Sequence, residues 1–269
     1  PNDRKQNVKS NITRWIELIG IYLSGTGNTR HCVEKLTGLL DSSAESMPLE
    51  SRGTVEAIRN NDTIILGYPT QFSNAPYMVR DFIHRNAGLW KGKKLLCVST
   101  MGAFSGDGAG CTARLLKKYG AVILGGLHIR MPDSVCDSKL LKKTLKQNRE
   151  IIILADKKIE SAALLIKQGI YPKDGITFIS HLAGLLGQRL WFYGKTADYT
   201  DKLKISKSCI GCGLCVSLCP MENISMKNGK AAAGKRCTMC YRCISRCPEK
   251  AITLLGKEVK EQCGYEKYR

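Results

Sequence analysis

Cys209-Ile210-Gly211-Cys212-Gly213-Leu214-Cys215-Val216-Ser217-Leu218-Cys219-Pro220 is answered, further along the chain, by Cys237-Thr238-Met239-Cys240-Tyr241-Arg242-Cys243-Ile244-Ser245-Arg246-Cys247-Pro248. Both segments read C-x2-C-x2-C-x3-C-P, the thiolate run that holds four-iron clusters. Three cysteines two residues apart let a tight loop wrap one face of a cubane, while the fourth opens a segment that leads away and ligates the other cluster. The spacing therefore assigns Cys209, Cys212, Cys215 and Cys247 to one 4Fe-4S cluster and Cys237, Cys240, Cys243 and Cys219 to a second.

Gly211 and Gly213 sit inside the first loop, where the missing side chain lets backbone N–H groups approach sulfur. The second loop carries Thr238, Met239, Tyr241 and Arg242 instead, so the two sites are expected to differ electronically. Zinc is the competing reading, since paired C-x2-C also builds ribbons and knuckles. It gives no reason for a third C-x2-C step or for the terminal Cys-Pro. The stretch resembles a bacterial two-cluster ferredoxin over about Lys207–Leu255, which implies a small α+β domain.

The chain has 269 residues, enough for two domains with a sizeable core in at least one. Thirteen cysteines would suggest disulfides in a short secreted protein, but eight are taken by the cluster motifs and no signal peptide leads the sequence. The expectation is a cytoplasmic protein without a membrane span, since no apolar run approaches the eighteen or so residues required. Lys and Arg number 42 against 23 Asp and Glu, a formal charge of +19. The charges are scattered, no run of five like charges occurs and aromatics are sparse. An acidic redox partner protein is thus expected in preference to nucleic acid.

In the amino-terminal half, the apolar run Ile16–Leu23 reads as a buried strand. It feeds Ser24-Gly25-Thr26-Gly27-Asn28-Thr29 and then a helical pattern through Val33, Leu36, Leu39 and Leu40. A glycine- and hydroxyl-rich loop between strand and helix presents N–H groups and hydroxyls to a phosphate. Strands are expected near Glu45–Leu49, Asp62–Tyr68, Lys93–Thr100 and Ala121–Met131, with helices at Thr54–Asn60, Tyr77–Asn86 and from Gly108 to Tyr119. Such alternation is a doubly wound α/β sheet, whose ligands sit at loops after the carboxyl ends of the strands.

These loops resemble those of flavodoxins over about Ile16–Ile166, with Ser24–Thr29 similar to the family's T-x-T-G-x-T phosphate loop. The resemblance implies a five-stranded parallel sheet and FMN, held by Ser24, Gly25, Thr26, Gly27, Asn28 and Thr29 at the phosphate. It further implies that the ring lies between Pro69, Thr70, Gln71, Phe72 and Asn74 on one side and Thr100, Met101, Gly102, Ala103, Phe104 and Gly108 on the other. Phe72 and Phe104 are the aromatics offered for stacking. The competing reading is a domain of this fold without flavin.

Ser138–Gln168 contains neither Gly nor Pro and is expected as one helix, and Asp174–Phe192 as another helix or pair. The expected organisation is a flexible arm over residues 1–15, the flavin domain over 16–169, a helical connector over 170–206, the cluster domain over 207–256 and a charged tail over 257–269. His31, His84, His128 and His181 lack ligand spacing and are read as structural, as are Cys32, Cys97 and Cys136. Cys111, at a helix start beside the flavin loops, is either a thiol of lowered pKa or a core residue. Cys263 is expected as a free thiol.

A flavodoxin-like unit followed by a two-cluster ferredoxin resembles the flavodoxin–ferredoxin fusion proteins grouped as the EFR-type ferredoxin family. The resemblance implies electron transfer between FMN and two 4Fe-4S clusters, in anaerobic or redox metabolism. The sequence offers no catalytic acid–base or nucleophilic constellation. Three readings follow: an electron carrier, an FMN-dependent reductase of a small acceptor such as a quinone, corrinoid or nitro compound, and a redox sensor or assembly module.

Overall fold

The computed structural model describes residues 17–138, 141–184, 186 and 197–269. The expected arm over residues 1–15 lies outside them, as do residues 185 and 187–196 of the expected connector. Five strands, β1 (Leu18–Tyr22), β2 (Ser46–Pro48), β3 (Thr63–Pro69), β4 (Lys94–Met101) and β5 (Val122–Arg130), form a parallel sheet in the order β2-β1-β3-β4-β5. Helices α1 (Asn28–Leu40), α2 (Thr54–Arg59), α3 (Tyr77–Arg85), α4 (Gly108–Lys118) and α5 (Leu145–Lys167) complete the flavodoxin-like architecture.

The central strands are apolar at nearly every position because helices cover both faces. On one face Val33 and Leu36 of α1 and Ile152, Ile159 and Ile166 of α5 pack against Leu18, Ile65, Val98 and Leu127. On the other, Ile58, Val79, Ile83 and Leu116 from α2, α3 and α4 meet Ile19, Ile21, Ile64, Leu66 and Leu95 around the fully buried Trp90. Each such side chain taken from water stabilises the fold by about 1.5–3 kcal/mol. The strand order reverses between β1 and β3, and the loops after β1, β3 and β4 therefore open on one crevice.

The long helix is shorter than the sequence pattern suggests. It starts at Leu145 because Thr144 and Gln147 form a capping box: Thr144 Oγ1 accepts from the Gln147 N–H at 3.2 Å, and Gln147 Oε1 from the Thr144 N–H at 2.9 Å. The following chain runs beside β5, where the Gly126 N–H donates to the Pro172 carbonyl and the Asp174 N–H to that of Gly126. Gly125 and Gly126 allow this: a Cβ on either would lie within 2.5 Å of a carbonyl oxygen of that segment. Helix α6 (Phe178–Gly184) then occupies part of the expected Asp174–Phe192 helix.

The carboxyl-terminal part is an α+β unit of short elements. Strands β6 (Lys204–Ile205) and β9 (Ile252–Thr253) pair antiparallel, and β7 (Ile224–Lys227) and β8 (Lys230–Ala233) form a hairpin through Asn228-Gly229. Both turn residues have positive φ, the two-residue turn that Asn-Gly favours. Two short helices, α7 (Leu214–Leu218) and α8 (Arg242–Arg246), carry the third cysteine of each motif and end just before the fourth, packing on Leu203, Ile224, Ile252 and Leu254. The last helix, α9 (Tyr265–Tyr268), returns to the first domain, where Tyr268 is buried among α5 and the sheet. The tail is charged in composition but docked, through Val259, Tyr265 and Tyr268. No helix of the described residues is long and apolar enough to cross a membrane.

Candidate functional site

The two cysteine motifs fold back on one another so that each cavity draws three thiols from one motif and one from the other. Cys237, Cys240, Cys243 and Cys219 line a small cavity, together with Leu203, Pro220 and Leu254. Cys209, Cys212, Cys215 and Cys247 line a second, with Ile205, Ala231 and Ile252. Within each set the thiols stand around a space and do not converge on a point. Among the described residues no three Cys, His, Asp or Glu side chains meet closely enough to hold a single ion.

Backbone donors aim at the sulfurs. The Asn223 N–H meets Cys219 Sγ at 3.3 Å and the Ala251 N–H meets Cys247 Sγ at 3.3 Å, four residues on in both motifs. N–H groups of Ala231 and Gly211 hold the Cys209 thiol below its usual range. Burial acts the other way in the second set, raising Cys237 and pushing Cys240 up to about 11 despite the Arg242 N–H beside it. Iron ligation requires these thiols as thiolates, and a bound metal's positive charge would take the place of the protons released to solvent. Cysteine donor sets, apolar walls and N–H groups aimed at sulfur thus fit iron–sulfur clusters.

The phosphate loop fits its group on similar grounds. It leaves β1 at Leu23 and enters α1 through Gly27, whose φ of 92° suits a residue without a side chain. Ser24 Oγ and Asn28 Oδ1 are buried without a hydrogen-bond partner among the described residues, so a bound anion would give Ser24 an acceptor. Thr29 Oγ1 is engaged with Thr100 Oγ1 at 2.8 Å, which ties the loop to the end of β4. Thr26 Oγ1 meets Ser134 Oγ at 2.7 Å, and the Thr26 carbonyl accepts from the Tyr265 N–H at 2.8 Å.

The loop after β3 makes a tight turn in which the Gln71 and Asn74 backbones exchange hydrogen bonds. Phe72 and Ser73 sit at its centre with φ of 49° and 56°, positions usually left to Asn or Gly, and so carry backbone strain. Thr70 Oγ1 joins Ser99 Oγ and, at 2.9 Å, Ser105 Oγ, linking this loop to the one after β4. Pro69, Met101 and Gly102 are partly covered, Ala103 is exposed, and Phe104 keeps 48% of its surface in solvent while Phe72 is half-buried. Gly108 begins α4, and its carbonyl accepts from Tyr68 Oη.

Several residues here escape the sequence patterns. Asp107 is fully buried, with Oδ2 receiving Arg114 Nη2 at 2.5 Å and contacting His181 Nδ1 at 2.8 Å. Cys111 Sγ lies 3.5 Å from the Ser73 carbonyl and 3.7 Å from Asp107 Oδ1, bridging the two ring loops. His128 Nε2 accepts from the Ala109 N–H at 3.3 Å, and burial lowers its pKa. Of the other two histidines, His31 contacts Asp156 and stacks on Tyr265, and His84 meets Tyr119.

The two halves of the site touch. The carbonyl oxygen of Cys240 rests on Gly25, so near that a Cβ there would stand 1.7 Å from it. Gln71 Nε2 donates to the Thr238 carbonyl at 2.9 Å. Arg242 Nη2 donates to the Ser24 carbonyl at 2.9 Å and to Glu50 Oε1 at 2.5 Å, with both side chains largely buried. Tyr241 Oη donates to Asp137 Oδ1 at 2.9 Å, while Asp137 Oδ2 accepts from the N–H groups of Leu254 and Leu255. One cysteine loop is thereby fastened to the phosphate loop, to a ring loop and to the chain after β5.

Comparison with known proteins agrees with this architecture. Residues 19–150 match the family model of the flavodoxin domain and residues 208–252 that of the 4Fe-4S dicluster domain. Among solved structures, the chain is similar to the two-electron reduced flavodoxin of Megasphaera elsdenii, with 24% identity over 54% of this chain and 97% of that one and a TM-score of 0.41. Oxidised flavodoxin 2 of Bacillus cereus gives 20% identity over 57% and 99%, with a TM-score of 0.42. The Fusobacterium nucleatum flavodoxin bound to flavin mononucleotide gives 18% over 58% and 99%, with a TM-score of 0.40. Comparison with curated proteins returns no significant match. The chain joins a flavodoxin domain to a 4Fe-4S dicluster domain, the organisation of a flavodoxin–ferredoxin fusion, and is an electron-transfer flavo-iron-sulfur protein.

Proposed function

We propose that this protein passes electrons between FMN, held at the crevice over Ser24–Thr29, Pro69–Pro76 and Thr100–Gly108, and two 4Fe-4S clusters, and on to an acidic protein partner. The observation that carries the reading is the seat of the Cys240 carbonyl on Gly25. That contact supports the reading in which the cavity of Cys219, Cys237, Cys240 and Cys243 is the inner one and that of Cys209, Cys212, Cys215 and Cys247 the outer one. Flavin exchanges one or two electrons and each cluster one, so the pair converts between the two.

The chain's own residues hold the path. Ser24, Gly25 and Thr26 receive the phosphate, Gln71 and Arg242 keep the second cysteine loop against the flavin loops, and the linked hydroxyls of Thr70, Ser99 and Ser105 fix the ring loops relative to each other. The outer end is where a partner meets the clusters: Cys212 and Ile210 are exposed there, and Lys207, Lys227 and Lys230 stand in solvent on neighbouring segments. These cations suit a partner of negative charge. Arg242, though in the same basic stretch, is turned inward to Glu50 and does not join them.

Rapid mixing of anaerobic protein with a reduced acidic ferredoxin, followed at flavin and cluster wavelengths across a salt series, tests both parts. Transfer from the partner is expected to slow steeply as salt rises, and transfer from cluster to flavin within the chain to hold its rate. A partner rate indifferent to salt would sink the acidic docking, and flavin that stays oxidised beside reduced clusters would sink the path.

A further inference from the structure

Helix α5 covers one face of the sheet with Ile152, Ile159 and Ile166, and its 23 residues span about 35 Å. The opposite side of the helix is not the polar surface that such packing usually leaves. Lys146, Glu150, Ile153, Lys157 and Leu164 recur at intervals of three, four and seven residues and so share one line along it, with Leu154, Ser161 and Leu165 on the line beside. Four aliphatic side chains lie open there: Ile153 keeps 55% of its surface in solvent, Leu154 65%, Leu164 63% and Leu165 44%. The charge between them is positive. Two of the helix's three acids turn aside to α1, Asp156 to His31 and Lys35 and Glu160 to Lys35 at 2.7 Å, and Lys158 is taken by Asp174 at 2.6 Å. Lys146, Arg149, Lys157 and Lys167 stand exposed, with no acidic partner among the described residues.

We propose that this face of α5 docks the protein reversibly on an anionic lipid bilayer. The aliphatic side chains enter the headgroup boundary, and the lysine stems lie along the same apolar strip while their ammonium groups meet lipid phosphates. Composition separates this occupant from two others. Protein interfaces are enriched in aromatics and arginine and depleted in lysine, whereas α5 has no aromatic residue and carries Lys146, Lys157, Lys158 and Lys167 against Arg149 alone. A second copy of the chain set on the same face would oppose cation to cation across a two-fold contact. Lipid of negative charge suits both the leucines and the lysines, and the formal charge of +19 draws the chain to such a surface. Docking through α5 needs neither flavin nor clusters.

Sedimentation of the full chain, prepared without oxygen, with lipid vesicles is the test. The protein is expected to pellet with vesicles of equal parts phosphatidylcholine and phosphatidylglycerol and to stay in the supernatant with phosphatidylcholine alone. Leu154→Ser with Leu164→Ser is expected to lower the affinity about tenfold or more, since both side chains are open to solvent and their loss spares the core. Lys146→Gln with Lys157→Gln is expected to lower it about fivefold for each cation removed. Lys117→Gln with Lys118→Gln, on α4 across the sheet, removes the same charge and is expected to bind close to the parental level. Circular dichroism and melting temperature at parental values establish that each pair of exposed substitutions leaves the fold intact. An equal loss in the α4 pair would show that lipid meets total charge and not α5, and undiminished binding by the leucine pair would show that nothing is inserted; either overturns the docking. So would protein that never pellets, whether it dimerises until Leu154→Ser separates it or binds an acidic ferredoxin through Lys146 and Lys157.

Discussion

The two cysteine loops follow the same backbone path with different residues on it. Gly211 and Gly213 take φ of 72° and 73° between the first three cysteines, and Met239 and Tyr241 take 55° and 60° at the matching places. A left-handed backbone costs a residue with a side chain about 1–2 kcal/mol, so the second loop bears a strain that the first avoids. In return it has handles. Tyr241 reaches Asp137, Arg242 reaches Glu50 and Ser24, and the Thr238 carbonyl takes the Gln71 amide. The first loop makes no comparable contact with the flavodoxin domain among the described residues, and 64% of Ile210 is in solvent. The loop that meets Gly25 is a fixed joint, and the other is a bare end.

Removing one ligand from each loop gives the largest expected effect. Cys240→Ser and Cys212→Ser should each lower the iron content from about eight atoms per chain to about four. Their electron-transfer defects should differ. With Cys240→Ser the joint is lost, and a protein donor should reduce the remaining cluster but leave the flavin oxidised. With Cys212→Ser a small reductant should still reduce the flavin through the inner cluster, while delivery from a protein partner fails. Identical defects, read by rapid-mixing absorbance with iron analysis, would erase the distinction between joint and end.

The joint itself is tested by Arg242→Leu. Glu50, only 20% exposed, would lose its cation while Oε2 already lacks a partner. Stranding a largely buried carboxylate costs roughly 3 kcal/mol. Thermal unfolding should therefore fall by several degrees, and flavin reduction by the clusters should slow. Glu50→Gln in the same chain should return much of the lost stability, because it removes the stranded charge. Failure of that rescue would show that Arg242 acts through packing and not through the ion pair.

Much of this was legible in the sequence, for a physical reason in each case. The parallel sheet announced itself because strands buried on both faces must be apolar throughout, as Leu18–Tyr22 and Ile64–Leu66 are. The grouping of the cysteines was readable from their spacing along two short loops, and each expected set of four lines one cavity. The start of α5 was misread although the Thr144-x-x-Gln147 signal was present, since the absence of Gly and Pro from Ser138 onward suggested a longer helix. The joint was not legible. Arg242 reads as one more surface cation until the fold brings Glu50, nearly two hundred residues earlier, beside it. Asp137 and Tyr241 likewise meet only across the domain boundary. Local pattern reports what a residue does for its own loop and is silent on contacts made at such separations.

The smallest expected effect asks whether strain in the second loop is offset by its anchor. Tyr241→Phe keeps the left-handed backbone and the buried ring but withdraws the hydroxyl from Asp137 Oδ1, while the two N–H groups on Oδ2 remain. A buried carboxylate short of one donor costs about 1–2 kcal/mol. Gly213→Ala in the first loop puts a side chain on a backbone of φ 73° with open space around it, so its cost of about 1 kcal/mol is conformational alone. The two variants should thus be similarly destabilised in denaturant yet behave differently in transfer. Tyr241→Phe should slow flavin reduction by the clusters, because the anchored loop is the one that meets Gly25, whereas Gly213→Ala should leave it at the parental rate. If Gly213→Ala slowed it equally, the anchor at Asp137 would have no special part in holding cluster and flavin together, and Met239 and Tyr241 would carry their strain for some other purpose.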